Sequence, residues 1–74
     1  MFFYVYLLKS VNNNYLYTGC TEDLKKRIKE HNNKEVLSTK IYAPFKLIYY
    51  EASLNIKDAY SREKYLKSRL GKIF

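Results

Sequence analysis

The sequence contains little cysteine, proline or glycine, and each shortage excludes something. One cysteine, Cys20, in 74 residues excludes an internal disulfide and a thiolate-rich zinc site, and it favours a reducing, cytoplasmic setting. The single proline, Pro44, predicts a break before the element that follows it. The apolar run at residues 2–8 has no basic flank or cleavage site and is too short to cross a bilayer. We therefore expect neither a signal peptide nor a membrane-spanning segment.

Acidic residues are also scarce, since 7 Asp and Glu stand against 14 Lys and Arg and leave a net charge of +7. In so short a chain this charge favours polyanions, either nucleic acid or an anionic membrane surface. Apolar residues make up 47% of the chain, which is enough for one thin core, and we expect residues 1–74 to form a single small domain. Nine of the aromatic residues are tyrosines, which suit a core that opens onto a polar cleft but also simply favour strands.

Three segments have the pattern of β-strands. Residues 2–9 are apolar on both faces, which is typical of a central strand. Asparagines at 12–14 predict a turn into a second strand over residues 15–20, so that the two strands form a hairpin. A third strand is predicted over Phe45–Glu51. Its alternation places Phe45, Leu47 and Tyr49 on one face and Lys46, Ile48 and Tyr50 on the other.

A first helix is predicted from Thr21, as the N-cap, to about Asn32, with the acidic residues 22 and 23 in its first turn. Arg27 and His31 lie one turn apart on it, at the edge of its buried stripe. Residues 34–44 show no clear period and indicate only a short helical turn near 35–39. The resulting order is β-β-α-β-α. It predicts an α/β (α+β) fold with a small three-stranded, mainly antiparallel sheet packed against helices.

Asn55 is the predicted cap of a last helix over residues 56–70, with a stop at Gly71. Its inward stripe consists of Ala59, Glu63, Leu66 and Leu70. A carboxylate on an apolar face costs several kcal/mol if it is dry and unpaired. Glu63 is therefore expected to be paired, hydrogen-bonded, bound to a cation or facing a cleft, and a structural ion pair remains open. It also interrupts the stripe that a membrane-surface helix needs, which disfavours a membrane partner.

Five side chains could together serve phosphodiester hydrolysis: Tyr6, Tyr17, Arg27, His31 and Glu63. The reaction needs an activated water, charge neutralisation at phosphorus and help for the leaving oxygen. A carboxylate can hold a divalent cation, an arginine fork suits phosphate oxygens, and a tyrosine or histidine can handle a proton near the water. Spacing alone only suggests this set, because tyrosines and basic residues are abundant in the chain.

The segments that carry these residues resemble the motifs of the GIY-YIG nuclease superfamily. Tyr4-Val5-Tyr6 is similar to the first motif and Tyr17-Thr18-Gly19 to the second, although Tyr4 and Thr18 stand where the family usually has Gly and Ile. Residues 21–32 resemble the family's first helix, residues 45–51 its next strand and residues 61–67 the helix that carries its metal-binding glutamate. The resemblance covers nearly the whole chain. It is greatest to small stand-alone bacterial members, which are similar to the N-terminal nuclease domain of the excinuclease.

This resemblance implies a metal-dependent DNA endonuclease, an enzyme of DNA repair or recombination acting on branched or damaged DNA. It implies that Glu63 binds a single Mg²⁺ or Mn²⁺ and that Arg27 binds the scissile phosphate. Tyr6 is then the general base or its assistant, Tyr17 positions water or phosphate, and His31 is an auxiliary proton or phosphate group. Gly19 is implied as a point of close approach.

The alternative is a nucleic-acid-binding module on the same fold that cuts poorly or not at all. Convergence of Tyr6, Tyr17, Arg27 and Glu63 on one open cleft would favour the nuclease. Pairing of Glu63 with a lysine across a closed surface would favour the binding module. The oligomeric state is not predicted by the sequence.

Overall fold

A three-stranded antiparallel sheet lies between two helices in the computed structural model, which describes residues 1–70 without the Leu70 side chain. The elements in chain order are β1 (Phe3–Ser10), β2 (Leu16–Thr21), α1 (Leu24–Asn32), a short 3-10 helix (Lys40–Tyr42), β3 (Phe45–Ser53) and α2 (Ile56–Leu70). The strand order is β2-β1-β3, so the strand that is apolar on both faces is central, as predicted. The β-β-α-β-α order is confirmed, and the stop predicted at Gly71 lies outside the described residues.

The two helices cover opposite faces of the sheet. Successive residues of a strand point to opposite faces. Tyr6 and Leu8 of β1 form the main core cluster with Phe45, and Ile28 of α1 packs against it. The other face carries Glu51 of β3, whose carboxylate accepts hydrogen bonds from Arg62 of α2. We call these the α1 side and the α2 side.

A β-bulge in β3 overturns the alternation predicted for that strand. Leu8 of β1 pairs with Leu47, but its neighbour Leu7 pairs with Tyr49, so Ile48 is an extra residue in the ladder. The bulge shifts the pleat by one position. Tyr50 therefore lies opposite Tyr6 on the α1 side together with Leu47, and Tyr49 lies on the α2 side.

The start of α1 differs from the sequence-based prediction. The N-cap is Asp23, whose carboxylate accepts a hydrogen bond from the Lys26 amide at 3.1 Å, and no acidic residue lies in the first turn. The Thr21 hydroxyl, predicted as the cap, instead accepts from the Asp23 amide at 3.1 Å. Threonine and aspartate both favour the N-cap position, and here the cap is Asp23, which directly precedes the helix.

The remaining boundaries are close to those predicted. Asn55 caps α2 through the Lys57 amide at 2.8 Å, as expected. The helical turn expected near 35–39 forms slightly later, as the 3-10 helix, and β3 begins directly after Pro44. Within residues 1–70, no helix combines the length and apolarity that a membrane span requires.

Candidate active site

The β1–β2 hairpin brings the two motif tyrosines to the same side of the sheet, as predicted. Tyr6 pairs with Gly19 and Leu8 pairs with Tyr17, and residues directly opposite in an antiparallel pair share a face. The ring centroids of Tyr6 and Tyr17 are 6.2 Å apart. The Tyr6 side chain is almost completely buried, at 1% exposure, and Tyr17 remains partly exposed. The pair thus reaches from the core to the surface.

Gly19 is required by space rather than by backbone conformation. A Cβ atom at this position would lie 2.5 Å from Cζ of Tyr6 and 2.9 Å from Cε2 of Tyr17. The Tyr6 ring therefore lies directly over the Gly19 backbone, and any side chain there would displace both rings. The structure explains the glycine of the second motif as the contact surface for the tyrosine of the first.

His31 is fully buried at the C-terminal end of α1, with 0% exposure, and not at the edge of the buried stripe as predicted. Its Nε2 lies 2.9 Å from the Tyr6 hydroxyl and its Nδ1 lies 2.8 Å from the Thr39 hydroxyl. The Tyr17 ring packs at 4.9 Å, centroid to centroid. The connection after α1 supplies Thr39 and closes over the ring. This burial holds the His31 ring against the Tyr6 hydroxyl and away from solvent.

The surroundings fix the protonation of this pair. Burial raises the pKa of the Tyr6 hydroxyl to about 12; the Arg27 guanidinium opposes the rise, and Tyr17 and Glu63 add to it. Burial lowers the pKa of His31, and the charge of Arg27 lowers it further. At neutral pH a phenol therefore faces a neutral imidazole. The tautomer with its proton on Nδ1 donates to Thr39 and accepts from Tyr6, which satisfies both nitrogens.

Arg27 extends this buried pair to the surface. Its Nη1 donates to a Glu30 carboxylate oxygen at 3.0 Å, one helical turn away, and its side chain is 37% exposed. A guanidinium has five N–H donors, so one bond to Glu30 leaves others for a phosphate. Arg27 lines an open depression together with Cys20, Thr21, Glu22, Asp23, Lys26 and Glu30.

Glu63 lies on α2, outside the depression that holds Arg27. Its carboxylate pairs with Lys67 at 3.1 Å, one turn along the same helix, with side-chain exposures of 18% for Glu63 and 54% for Lys67. Both residues line an open pocket with Tyr60, Lys64 and Ser68. Glu63 is still close enough to add to the raised pKa of Tyr6. The structure thus groups Tyr6, Tyr17, Arg27 and His31, and leaves Glu63 beside this group without direct contact.

The pocket around Glu63 offers one carboxylate beside Lys64 and Lys67, which is enough only for a cation that takes its other ligands from water and substrate. Within residues 1–70 no three His, Cys, Asp or Glu side chains are grouped as metal ligands. Mg²⁺ and similar hard cations keep several waters and bind through one or two carboxylates plus phosphate oxygens. A helical i,i+4 pair contributes only about 0.3–0.5 kcal/mol at a surface, and the exposed member of this pair is Lys67, so little free energy holds the lysine in place.

Two residues of the site were missed from the sequence. Thr39 lies in the aperiodic connection, and no local pattern indicates that its hydroxyl faces His31. Glu30 had a usable signal, because it stands three residues after Arg27 on the same helix, a spacing at which opposite charges pair.

The sequence pattern of the GIY-YIG catalytic domain matches residues 2–73. The chain therefore belongs to the GIY-YIG family of nuclease-type domains, in agreement with the hairpin and the tyrosines described above. It is 48% identical over 65 residues to a UPF0213 protein of Clostridium perfringens, covering 86% of this chain and 69% of that protein. It is 42% identical over 67 residues to a UPF0213 protein of Streptococcus pyogenes serotype M3, covering 89% and 72%. The solution NMR structure of a UPF0213 protein from Bacillus halodurans matches with a TM-score of 0.56 and 33% identity, covering 92% of this chain and 72% of that one.

Proposed function

We propose that this domain is a metal-dependent endonuclease that hydrolyses phosphodiester bonds in DNA. The observation that carries the proposal is the buried line of hydrogen bonds from Tyr6 through His31 to Thr39, with the partly exposed Arg27 beside it. A hydrogen-bonded tyrosine–histidine pair beside a partly exposed arginine suits proton transfer at a phosphate better than it suits packing alone. Membership of a nuclease-type family supports the same conclusion.

In the proposed mechanism Tyr6 and His31 act as one base. With a pKa of about 12, the Tyr6 hydroxyl is a poor base by itself. When its oxygen accepts a proton from the attacking water, its own proton passes to the neutral Nε2 of His31 at 2.9 Å. The Nδ1–H of the resulting imidazolium donates to Thr39, which stabilises the charge. The low pKa of His31 keeps its nitrogen available as an acceptor at neutral pH.

Arg27 and Tyr17 hold the phosphate in this mechanism. The guanidinium of Arg27 donates to the phosphate oxygens while Glu30 fixes its position on α1. Tyr17, next to Tyr6 and partly exposed, orients the water or the phosphate.

Glu63 is the residue that would hold Mg²⁺ or Mn²⁺ as a single divalent cation. Such a cation supplies charge neutralisation at the phosphate and lowers the pKa of a bound water. Lys67, once released from Glu63, would be available to a phosphate of the DNA. We assign the substrate to branched or damaged DNA and the activity to repair or recombination in the cytoplasm, as the family resemblance implies.

A second candidate function is favoured by the Glu63–Lys67 pair. If Lys67 keeps its place, the domain binds DNA through its net charge of +7 and cuts poorly. This pair lies along one helix at an open surface and not across a closed one, so the structure matches neither arrangement that would separate the two functions outright.

Cleavage of supercoiled plasmid and of branched DNA in Mg²⁺, Mn²⁺ or EDTA tests the proposal. Wild type should cut with either metal and not in EDTA, and Glu63→Gln should cut more slowly by several orders of magnitude. Glu35→Gln is the matched control, because it removes the same charge from an exposed residue of the connection after α1. DNA binding without metal-dependent cleavage by wild type would leave the binding module as the function.

A further inference from the structure

A second open groove lies on the α1 side of the sheet, next to the depression that holds Arg27. Its volume is about 470 Å³. Aromatic and aliphatic side chains form most of its wall, and charged residues form its rim. The lining residues are Tyr4, Glu22, Asp23, Leu24, Lys25, Ile28, Leu47 and Tyr50.

The bulge at Ile48 creates this groove. Without the extra residue, Tyr50 would continue the alternation on the α2 side. With it, Tyr50 faces the α1 side and remains 53% exposed. Bulges near functional sites commonly re-aim a side chain in this way.

Tyr4 forms the other aromatic wall, at the position where the first motif usually has glycine. Its ring meets the Tyr50 ring edge to face, with centroids 6.1 Å apart and planes at 61°. The small residue Ala52 lies directly opposite Tyr4 on β3. The side chain that the bulge redirects, Tyr50, and the Tyr4 ring thus line one groove.

The groove continues from the phosphate-binding depression of Arg27. Glu22 and Asp23 line both, as the rim where the two meet at the start of α1. Carboxylates at this rim accept hydrogen bonds from exocyclic amino groups of nucleobases. Aromatic walls stack bases of any sequence. Apolar and aromatic walls with an acidic rim therefore suit a base and not a backbone phosphate.

We propose that this groove binds one unpaired, amino-bearing nucleobase of the DNA strand whose phosphate contacts Arg27. The proposal rests on the proposed function and narrows its substrate to DNA with an unpaired base next to the bond that is cut. Tyr50 is the stacking surface, Tyr4 orients it, and Glu22 accepts from the amino group. A fully paired duplex leaves the groove empty.

The test uses 2-aminopurine, a fluorescent base whose emission falls when it stacks. The base is placed at successive positions near the junction of a single-stranded flap, and binding is measured in EDTA so that no strand is cut. Tyr50→Leu removes the stacking surface but keeps an apolar side chain. Tyr49→Leu is the matched control, because Tyr49 is its neighbour on the same strand with 46% exposure but faces the α2 side.

Wild type and Tyr49→Leu should quench 2-aminopurine at one or two adjacent positions, and Tyr50→Leu at none. Affinity for the flap should fall about tenfold in Tyr50→Leu, with duplex affinity unchanged. Binding by wild type without quenching at any position overturns the groove and leaves the nuclease proposal standing, and this result does not depend on how any variant folds. Quenching that survives in folded Tyr50→Leu also overturns it. Absence of DNA binding by wild type overturns both proposals.

Discussion

The two sides of the sheet differ in the burial of their polar side chains. On the α1 side Tyr6, His31 and Thr39 are at most 1% exposed and are joined by hydrogen bonds of 2.9 and 2.8 Å. On the α2 side the charged groups form ion pairs with partly exposed members, Arg62 with Glu51 and Lys67 with Glu63. Among described residues that are not exposed, every buried side-chain nitrogen and oxygen has a partner.

The difference in burial separates side chains that keep one geometry from side chains that can exchange their partners. A buried polar line keeps one geometry, because breaking it leaves an unsatisfied group in the core. A half-exposed pair on a helix contributes little and can release its partner to water, metal or phosphate. In our account the α1 side positions the proton transfer, and the α2 side supplies a carboxylate that changes its partner during the reaction.

Among variants of the α1 side, Tyr6→Phe should have the largest effect on cleavage. Tyr6→Phe keeps the ring over Gly19 but removes the hydroxyl that joins water to His31. Cleavage should fall by roughly 10²–10⁴-fold, the usual contribution of a positioned acid or base. Stability should fall by about 1–3 kcal/mol, because Nε2 of His31 loses its donor. Tyr49→Phe, on the α2 side with 46% exposure, is the control for loss of a hydroxyl.

Equal cleavage rates for Tyr6→Phe and Tyr49→Phe would remove Tyr6 from the mechanism. Rates from single-turnover assays and stabilities from urea titrations supply both readouts.

Gly19→Ala tests the same side through packing. The new methyl group meets Cζ of Tyr6 and must displace it, which should cost about 1–3 kcal/mol in urea unfolding, as overpacking does. Cleavage should fall as well, because the displaced ring moves away from His31. In the double variant Tyr6→Leu, Gly19→Ala the cost of the methyl group should shrink. Strict additivity of the two changes would show that the Tyr6 ring is not what requires glycine.

The salt dependence of DNA affinity tests the surface part of the site, at Arg27. Wild-type affinity for DNA should give a slope of log K against log salt of about −3 to −5, from three to five phosphate contacts. Arg27→Ala should make the slope shallower by about 1 and should weaken cutting more than binding, because its phosphate is the reacting one. Affinity that does not change with salt would exclude an electrostatic DNA interface.

A smaller effect is expected from pH. The pKa of His31 is lower in the fold than its usual value of about 6.5, so the unfolded chain binds the proton more readily. The contribution of His31 to stability is therefore complete above about pH 6.5 and is lost as the pH falls towards its lowered pKa. Over this window, urea unfolding should show a steeper loss of stability in wild type than in His31→Gln. Parallel losses in the two proteins would mean that His31 is not held neutral.

Much of the fold followed from the sequence because local patterns decide it. The apolar faces of β1 predicted its central place, the period of two placed Tyr6 and Tyr17 on one side, and Asn55 marked the start of α2. The bulge did not follow, because residues 47–50 are all apolar or aromatic, so the sequence does not show which of them face the same side, and only pairing with β1 reveals the extra residue.

The candidate site was predictable in its members but not in its contacts. The pairing of Glu63 with Lys67 was readable from their spacing of four residues. The burial of His31 was not, because it depends on how the aperiodic connection after α1 folds back and places Thr39. The cap at Asp23 was ambiguous, since two residues of cap type stand within three positions.

The smallest expected effect tests the central claim, that Glu63 is held for a cation and not for the fold. Melting curves of Glu63→Gln and wild type, with and without Mn²⁺, are the measurement. Without metal the variant should be within about 0.5 kcal/mol of wild type, because the lost pair lies within one helix and its lysine is 54% exposed. Mn²⁺ should raise the melting temperature of wild type and leave the variant unchanged. A metal-independent loss of roughly 3–5 kcal/mol in Glu63→Gln, the cost of breaking a buried ion pair, would contradict the account.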